Sequence, residues 1–361
     1  MVARVTWAGK ALLCSKSSLI VDLFTVRKPF RKLRGKAAYP LGCYKTKRRG
    51  GFVLTMPFDR RRALAYGLGI LWIFDSLLKI QPAMFHSLLV VNVLAPAATD
   101  SQPPWLFHIM MEGARLWIHL GVVANILNFL IEAVIGILIL KGPDTTSGRW
   151  GLWISLIWGA IVWIGAEGLG GLVTGSPSVI QGSPGSIPFY AAAAILLLVR
   201  KDWWTEEHVY QVARYGLAIF WFIAFIWEVL PSSGFWTPNG LAAQFGDITM
   251  NGNEPTILQM AINAMVISSQ LHPVLENGIY SAILLVLSLL SFFRPKSRWT
   301  AIITGVWMIF LWAVPQAFGT LLSGTGTDPG MFLPFTLLAW TLLGPQFPFM
   351  HQRQAQSEQA S

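Results

Sequence analysis

Seven long apolar runs, at 116–140, 150–166, 187–199, 216–231, 278–293, 299–314 and 331–343, constrain this chain more than any other feature. Several reach the roughly 20 residues that a helix needs to cross a hydrocarbon core of about 30 Å. Composition agrees with that reading. The chain is 54% hydrophobic and 12% charged, where soluble domains average about 25% charged residues. The sequence therefore predicts an all-α polytopic membrane protein.

Self-comparison adds organisation. "YGLGILWIFDSLLKIQP" at 66–82 aligns with "YGLAIFWFIAFIWEVLP" at 215–231, an offset of 149 residues. "RWGLWISLIWGAIVWIGAEGLGGLVTG" at 149–175 aligns with "RWTAIITGVWMIFLWAVPQAFGTLLSG" at 298–324 at the same offset and without a gap. Two separate blocks in one register predict tandem repeats. Each repeat has four spans, near 64–82, 118–140, 150–167 and 187–200, then near 213–231, 273–293, 299–316 and 329–345. An even number of spans inserts both halves the same way up. The expected architecture is two four-helix repeats, about eight transmembrane helices, related by a pseudo-two-fold axis along the membrane normal. The expected divisions are a basic tail over 1–63, repeats over 64–205 and 206–347, and a polar tail over 348–361.

Charge sets the orientation. Of 27 Lys and Arg, 16 lie between Arg4 and Arg62. The loops "KGPDTTSGR" (141–149), "RKDWWTEEH" (200–208) and "RPKSR" (294–298) fall on the same side as that tail, and only Lys79 and Arg115 fall opposite. Positive charge stays inside, so both termini are expected in the cytoplasm and the chain in a plasma membrane. The basic tail suits anionic lipid headgroups, and no nucleic-acid partner is expected. Cys14 and Cys43, the only cysteines, both lie in the tail, which rules out thiol chemistry within a span.

Ionisable residues inside spans are functional candidates because burying an unpaired ion is costly. Asp75 and Lys79 are four apart and share a helical face. Lys79 aligns with Glu228, so opposite charges at equivalent positions could bridge the halves, with a local Asp75 pair as the alternative. Glu132, near the middle of the second span, could relay protons, bind a cation or hydrogen-bond a neighbouring helix. His119 and His272 sit before the second and sixth spans, but neither helix has a second histidine at spanning distance. Haem, copper or another metal is therefore not expected there.

The segment 83–96 reads as interfacial, whereas 103–120 and 254–271 each open on proline and either continue into the next span or lie along the interface. The glycine breaks "EGLGGLVTG" and "QAFGTLLSG" end the third and seventh spans. Exposed backbone amides cannot face lipid, so such loops line protein or a wet cavity. Glu167, Gly170 and Thr174, matched by Gln316, Gly319 and Ser323, are the expected border of that cavity, a binding place for a small molecule or quinone headgroup. A purely structural cap is the competing reading. No nucleophile–His–acid set, phosphate loop or HExxH motif is present, and whether the chain is an enzyme stays open.

The stretches "GILWIFDSLLKIQPAMF", "EGLGGLVTG" and "GTGTDPGMFLP" resemble the DoxX/DoxD-like group of bacterial four-helix membrane proteins in a tandem form. The resemblance covers roughly 64–345. It implies a quinone-linked or accessory subunit of a membrane redox complex, with quinone as cofactor and other complex subunits as partners. A small-solute or ion transporter and a structural subunit docking a partner through its basic tail are the alternatives from the residues themselves.

Overall fold

The computed structural model describes residues 59–85, 90–99, 102–249 and 254–343, and an isolated hairpin at 47–48 and 51–52. The chain divides into two compact units, Met1–Phe58 and Asp59–Ser361. In the first, β1 (Lys47–Arg48) pairs antiparallel with β2 (Gly51–Phe52), Lys47 opposite Phe52. The rest of the basic tail, with Cys14 and Cys43, and the polar tail at 348–361 lie outside the described residues.

The second unit is all-α among its described residues. Its helices are α1 (Arg60–Leu78), α2 (Ala95–Thr99), α3 (Pro104–Leu120), α4 (Val122–Leu140), α5 (Thr146–Gly165) and α6 (Ile187–Leu198). They continue as α7 (Glu206–Val229), α8 (Pro238–Thr249), α9 (Thr256–Leu271), α10 (Pro273–Phe293), α11 (Arg298–Ala313) and α12 (Phe332–Leu343). Three are long and apolar enough to cross a membrane: α4 with 19 residues, α7 with 24 and α10 with 21. At 1.5 Å per residue, 19 residues extend about 29 Å, close to the hydrocarbon thickness. Helices α6, α9, α11 and α12 are apolar but shorter.

Helix starts follow their caps. Asp59 accepts from the Arg62 amide at 3.1 Å, and the Thr145 and Thr205 hydroxyls cap Gly148 at 2.9 Å and His208 at 3.2 Å. Such caps satisfy one of the four orphan amides at a helix start. Because Asp59 caps α1, Arg60, Arg61 and Arg62 form its first turn instead of belonging to the expected tail. Arg61 is buried, pairs with Asp144 at 2.5 Å and donates to the Leu197 carbonyl at 2.8 Å. Arg60 donates to the Leu342 carbonyl at 3.1 Å. The two guanidiniums thus serve the free carbonyls at the ends of α6 and α12.

The connections differ from a continuous reading. Helix α3 stops at Gly121, whose φ of 52° turns the chain before α4, and α9 stops at His272 before the proline that opens α10. The segment after α1 is broken into a 3-10 turn (Pro82–Phe85), one π turn (Val90–Leu94) and α2, each too short to span.

Two apolar clusters form the core. One gathers Leu68, Trp72, Ile135, Leu152 and Tyr190 with Leu338 and Leu342 of α12. The other gathers Trp221, Phe245, Tyr280, Leu284, Trp307 and Phe335. Phe189 joins them, edge-on to Phe220 at 5.5 Å and to Phe335 at 5.7 Å. Helices α1 and α4 meet at a glycine pair, where a Cβ on Gly136 would lie 2.7 Å from the Gly69 carbonyl oxygen. Outward faces stay apolar: Trp150, Trp153, Ile157 and Ile161 form one exposed stripe on α5, and Trp299, Ile302, Val306 and Ile309 another on α11. Exposed apolar surface on this scale suits lipid better than water.

Candidate functional site

Lys79 caps the C-terminus of α1 and is buried. Its ammonium lies 3.4 Å from Glu132 Oε2 on α4 and donates to the Thr327 carbonyl at 2.6 Å. The pair is almost dry, the two side chains being 6% and 4% exposed. The surrounding backbone is held as well: Asn125 Nδ2 donates to the Lys79 carbonyl at 2.8 Å, and Gln81 Nε2 to the Gly326 carbonyl at 3.0 Å. Asp75, one turn back on α1, is 3% exposed and its Oδ1 has no hydrogen-bond partner. The charges of Glu132, Asp328 and Lys79 act on it, as does the Tyr190 phenol. Trp72 fixes that phenol edge-on at 5.0 Å and is itself anchored by Nε1 to Ser155 Oγ at 2.9 Å.

The expected bridge between Lys79 and Glu228 is not formed. Glu228, fully buried on α7, accepts from Gln244 Nε2 at 2.8 Å and from Ser178 Oγ at 3.0 Å. The physical reason is a loop in each place. Gly326 and Thr327 accept from the end of α1, and Ser178 donates to Glu228 at the end of α7, so each charged group is occupied by a loop and not by the other. Asp75 is not the ion-pair partner either, because Glu132 takes that role.

The two glycine breaks share one unusual conformation. Residues 168–171 have φ of 56°, 57°, 59° and 75°, and residues 317–320 have 45°, 55°, 66° and 56°. Four consecutive positive φ values make a left-handed turn, closed in each case by an amide-to-carbonyl bond, Gly170 to Glu167 at 2.8 Å and Gly319 to Gln316 at 2.7 Å. Trp163 Nε1 donates to the Pro184 carbonyl at 2.9 Å, and Trp312 Nε1 to the Pro329 carbonyl at 2.8 Å, pinning each returning loop.

Six residues were expected to border a cavity here. Thr174 donates to the Gly171 carbonyl at 2.9 Å, and Ser323 to the Thr320 carbonyl at 2.7 Å, so both hydroxyls serve their own break. Gln316 reaches the first half, donating to the Val179 carbonyl at 3.2 Å. Glu167 accepts from Ser186 at 3.4 Å, while its Oε2 is buried without a partner. Glu167 and Gln316 therefore meet the same loop, 178–186, from its two ends. Gly170 and Gly319 supply the turn itself. Outside the helices, burial pushes the Glu254 carboxyl above its ordinary range.

An apolar cavity of about 160 Å³ lies between Met84, Phe85, Trp117, Ile118 and Val122, and none of the six residues expected at a cavity lines it. His119 and His272 are exposed. Among the described residues, no three His, Cys, Asp or Glu side chains are grouped to hold a metal. Glu276 accepts from Ser268 and Ser269 on the preceding helix.

Several participants escaped the sequence reading. Asn125 and Asn277 are polar residues inside apolar stretches and carried a signal. Ser178, Thr327 and Asp328 sit in loops whose destination no periodicity reveals, and Tyr190 reads as an ordinary aromatic of an apolar helix. Comparison of the chain with family models, with curated proteins and with solved structures gave no match.

Proposed function

We propose that this chain is an eight-span plasma-membrane protein built from two parallel four-helix halves, and that the buried cluster at Lys79 handles protons in an ion-coupled transport step. The observation that carries the functional reading is the dry Lys79–Glu132 pair with Asp75 one turn away. Two carboxylates and one ammonium do not balance, and an unpaired charge in an apolar interior is costly. A proton or small cation must complete the balance, and moving it changes the charge of the site.

Recurrent geometry supports the repeat. Asn125 to Lys79 and Asn277 to Glu228 are the same amide-to-carbonyl bond in each half, at 2.8 and 3.2 Å. Helix α12 is α6 displaced by 145 residues at both ends. Each half's loop closes on the other half: Thr327 on Lys79, and Ser178 on Glu228. In the first half Asp75 and Glu167 are acidic, and their counterparts at the 149-residue offset are Ala224 and Gln316. One proton-handling cluster in two related halves accounts for that divergence. The basic tail would hold anionic headgroups on the cytoplasmic face.

A second reading, the quinone-linked or accessory subunit of a redox complex, is favoured by the apolar cavity beside Met84 and Trp117, which would take an isoprenoid tail. Quinone extracted from the purified protein would select it.

Two measurements test the proposal. Single cysteines at Thr146 and Ser232, in a chain freed of Cys14 and Cys43, should label from opposite faces, inside and outside respectively. Labelling from one face would overturn the topology. In proteoliposomes carrying an entrapped pH dye, an imposed potential should drive proton entry by the wild type. Asp75→Asn should reduce that entry to the level of empty vesicles. Wild-type vesicles as tight as empty ones under proton, sodium and potassium gradients would dismiss the transport reading.

A further inference from the structure

The position equivalent to Lys79 in the second half is Glu228, and its surroundings are of another kind. Its side chain is fully buried, and among the described residues no Lys, Arg or His forms an ion pair with it. Neutral oxygens gather there instead. Ser178 Oγ is 3.0 Å from Glu228 Oε2 and 3.4 Å from Gln244 Oε1. Gln244 Nε2 donates to Glu228 Oε1 at 2.8 Å. Ser178, Gln244 and Glu228 are 0%, 3% and 0% exposed. Asn277, also fully buried, donates through Nδ2 to the Glu228 carbonyl at 3.2 Å, and its Oδ1 has no partner. One turn further along α10, Ser281 Oγ is likewise buried and unpartnered.

We infer that Glu228, Ser178 and Gln244, with Asn277 beside them, form a binding site for a monovalent metal cation of sodium's size. This goes beyond the proton cluster of the first half and does not depend on it. A carboxyl enclosed in an apolar core needs either a proton or a counter-charge. The first half supplies one covalently, as the Lys79 ammonium, whereas the second half supplies only the anion and hard oxygen donors. Carboxylate, hydroxyl and amide oxygens suit hard cations and not softer transition metals. A single carboxylate carries too little charge for a tight calcium site, which draws on several acidic ligands.

The distances fit one shared centre. Oxygens held about 2.3–2.6 Å from a hard cation stand roughly 3.3–3.7 Å from their neighbours, near the observed 3.0 and 3.4 Å. The Ser178 hydroxyl accepts from the Ile180 amide at 3.1 Å; with its proton turned away from Glu228, its remaining lone pair is free for the ion. The ion would then link α7, α8 and the first half's loop.

The test uses full-length protein in detergent at fixed ionic strength, with sodium chloride exchanged for choline chloride. Sodium should raise Tm saturably, and radioactive sodium should bind at about one ion per chain, as expected for a ligand selective for the native state. Glu228→Gln should abolish both effects. Ser178→Ala, which is the milder change, should weaken sodium binding about tenfold, as for the loss of one good ligand. Melts in choline chloride show whether each variant still folds. Equal Tm in sodium and choline, or an undiminished sodium shift in both variants, would overturn the site and leave Glu228 a proton-bearing structural acid. Proton entry into vesicles reads the first half's cluster, so the two proposals fail separately.

Discussion

Replacing Lys79 with methionine is expected to destabilise the detergent-solubilised protein by about 3–5 kcal/mol, the usual loss when one member of a buried ion pair is removed. The size follows from the dryness of the site. With the side chains of Lys79 and Glu132 only 6% and 4% exposed, water cannot take over as partner. The Thr327 carbonyl also loses its 2.6 Å donor, and this loosens the second half's loop from the first half's helix. Lys79→Met combined with Glu132→Leu should recover most of the loss, since an apolar pair of similar volume often replaces a buried ion pair at little cost. Lys79→Met combined with Glu228→Met should recover none. Unfolding in mixed detergent and dodecyl sulfate would rank the three. Rescue by the Glu228 change would restore the bridge between the halves and remove Glu132 from the site.

That experiment also marks where the sequence stopped being informative. The apolar helices were readable because lipid demands long apolar runs: the expected 273–293 matches α10, and 213–231 coincides with α7 up to Val229, where the helix stops two residues short of the expected end. The charged residues were readable for the same reason, since each stands out against an apolar run. Their partners were not. Glu132 is 53 residues from Lys79, and which α4 face meets α1 depends on Gly69 and Gly136 letting the backbones approach. The bridge to Glu228 assumed that equivalent positions face the pseudo-axis. Instead a loop residue bonds each charged group, Thr327 at Lys79 and Ser178 at Glu228, and a loop's landing place is a tertiary fact with no local signature. The glycine breaks fall between these cases: "GLGG" advertised a turn, but "AFGT" adopts the same left-handed path with one glycine.

That difference gives the second large effect, read as opposite signs at the two breaks. An L-residue in the left-handed region costs roughly 1–2 kcal/mol. The first break spends glycine at three of its four positive-φ positions, leaving only Leu169 strained. The second places Ala317, Phe318 and Thr320 there, and a β-branched residue such as Thr320 is an outlier in that region. Gly170→Ala adds the conformational cost, and its Cβ would stand 2.0 Å from the Pro184 carbonyl oxygen. Backbone cannot yield cheaply, and overpacking adds about 1–3 kcal/mol. The expected loss is therefore about 2–5 kcal/mol. Thr320→Gly relieves strain of roughly 1–2 kcal/mol against about 0.5–1 kcal/mol for the freer unfolded chain. A gain of up to about 1.5 kcal/mol is expected there. Because Glu167 and Gln316 stand at the entrances of these turns, Gly170→Ala should also impair proton entry, while Thr320→Gly should preserve it. Parallel losses of stability in both variants would mean that the left-handed turns are not what holds the two loops in place.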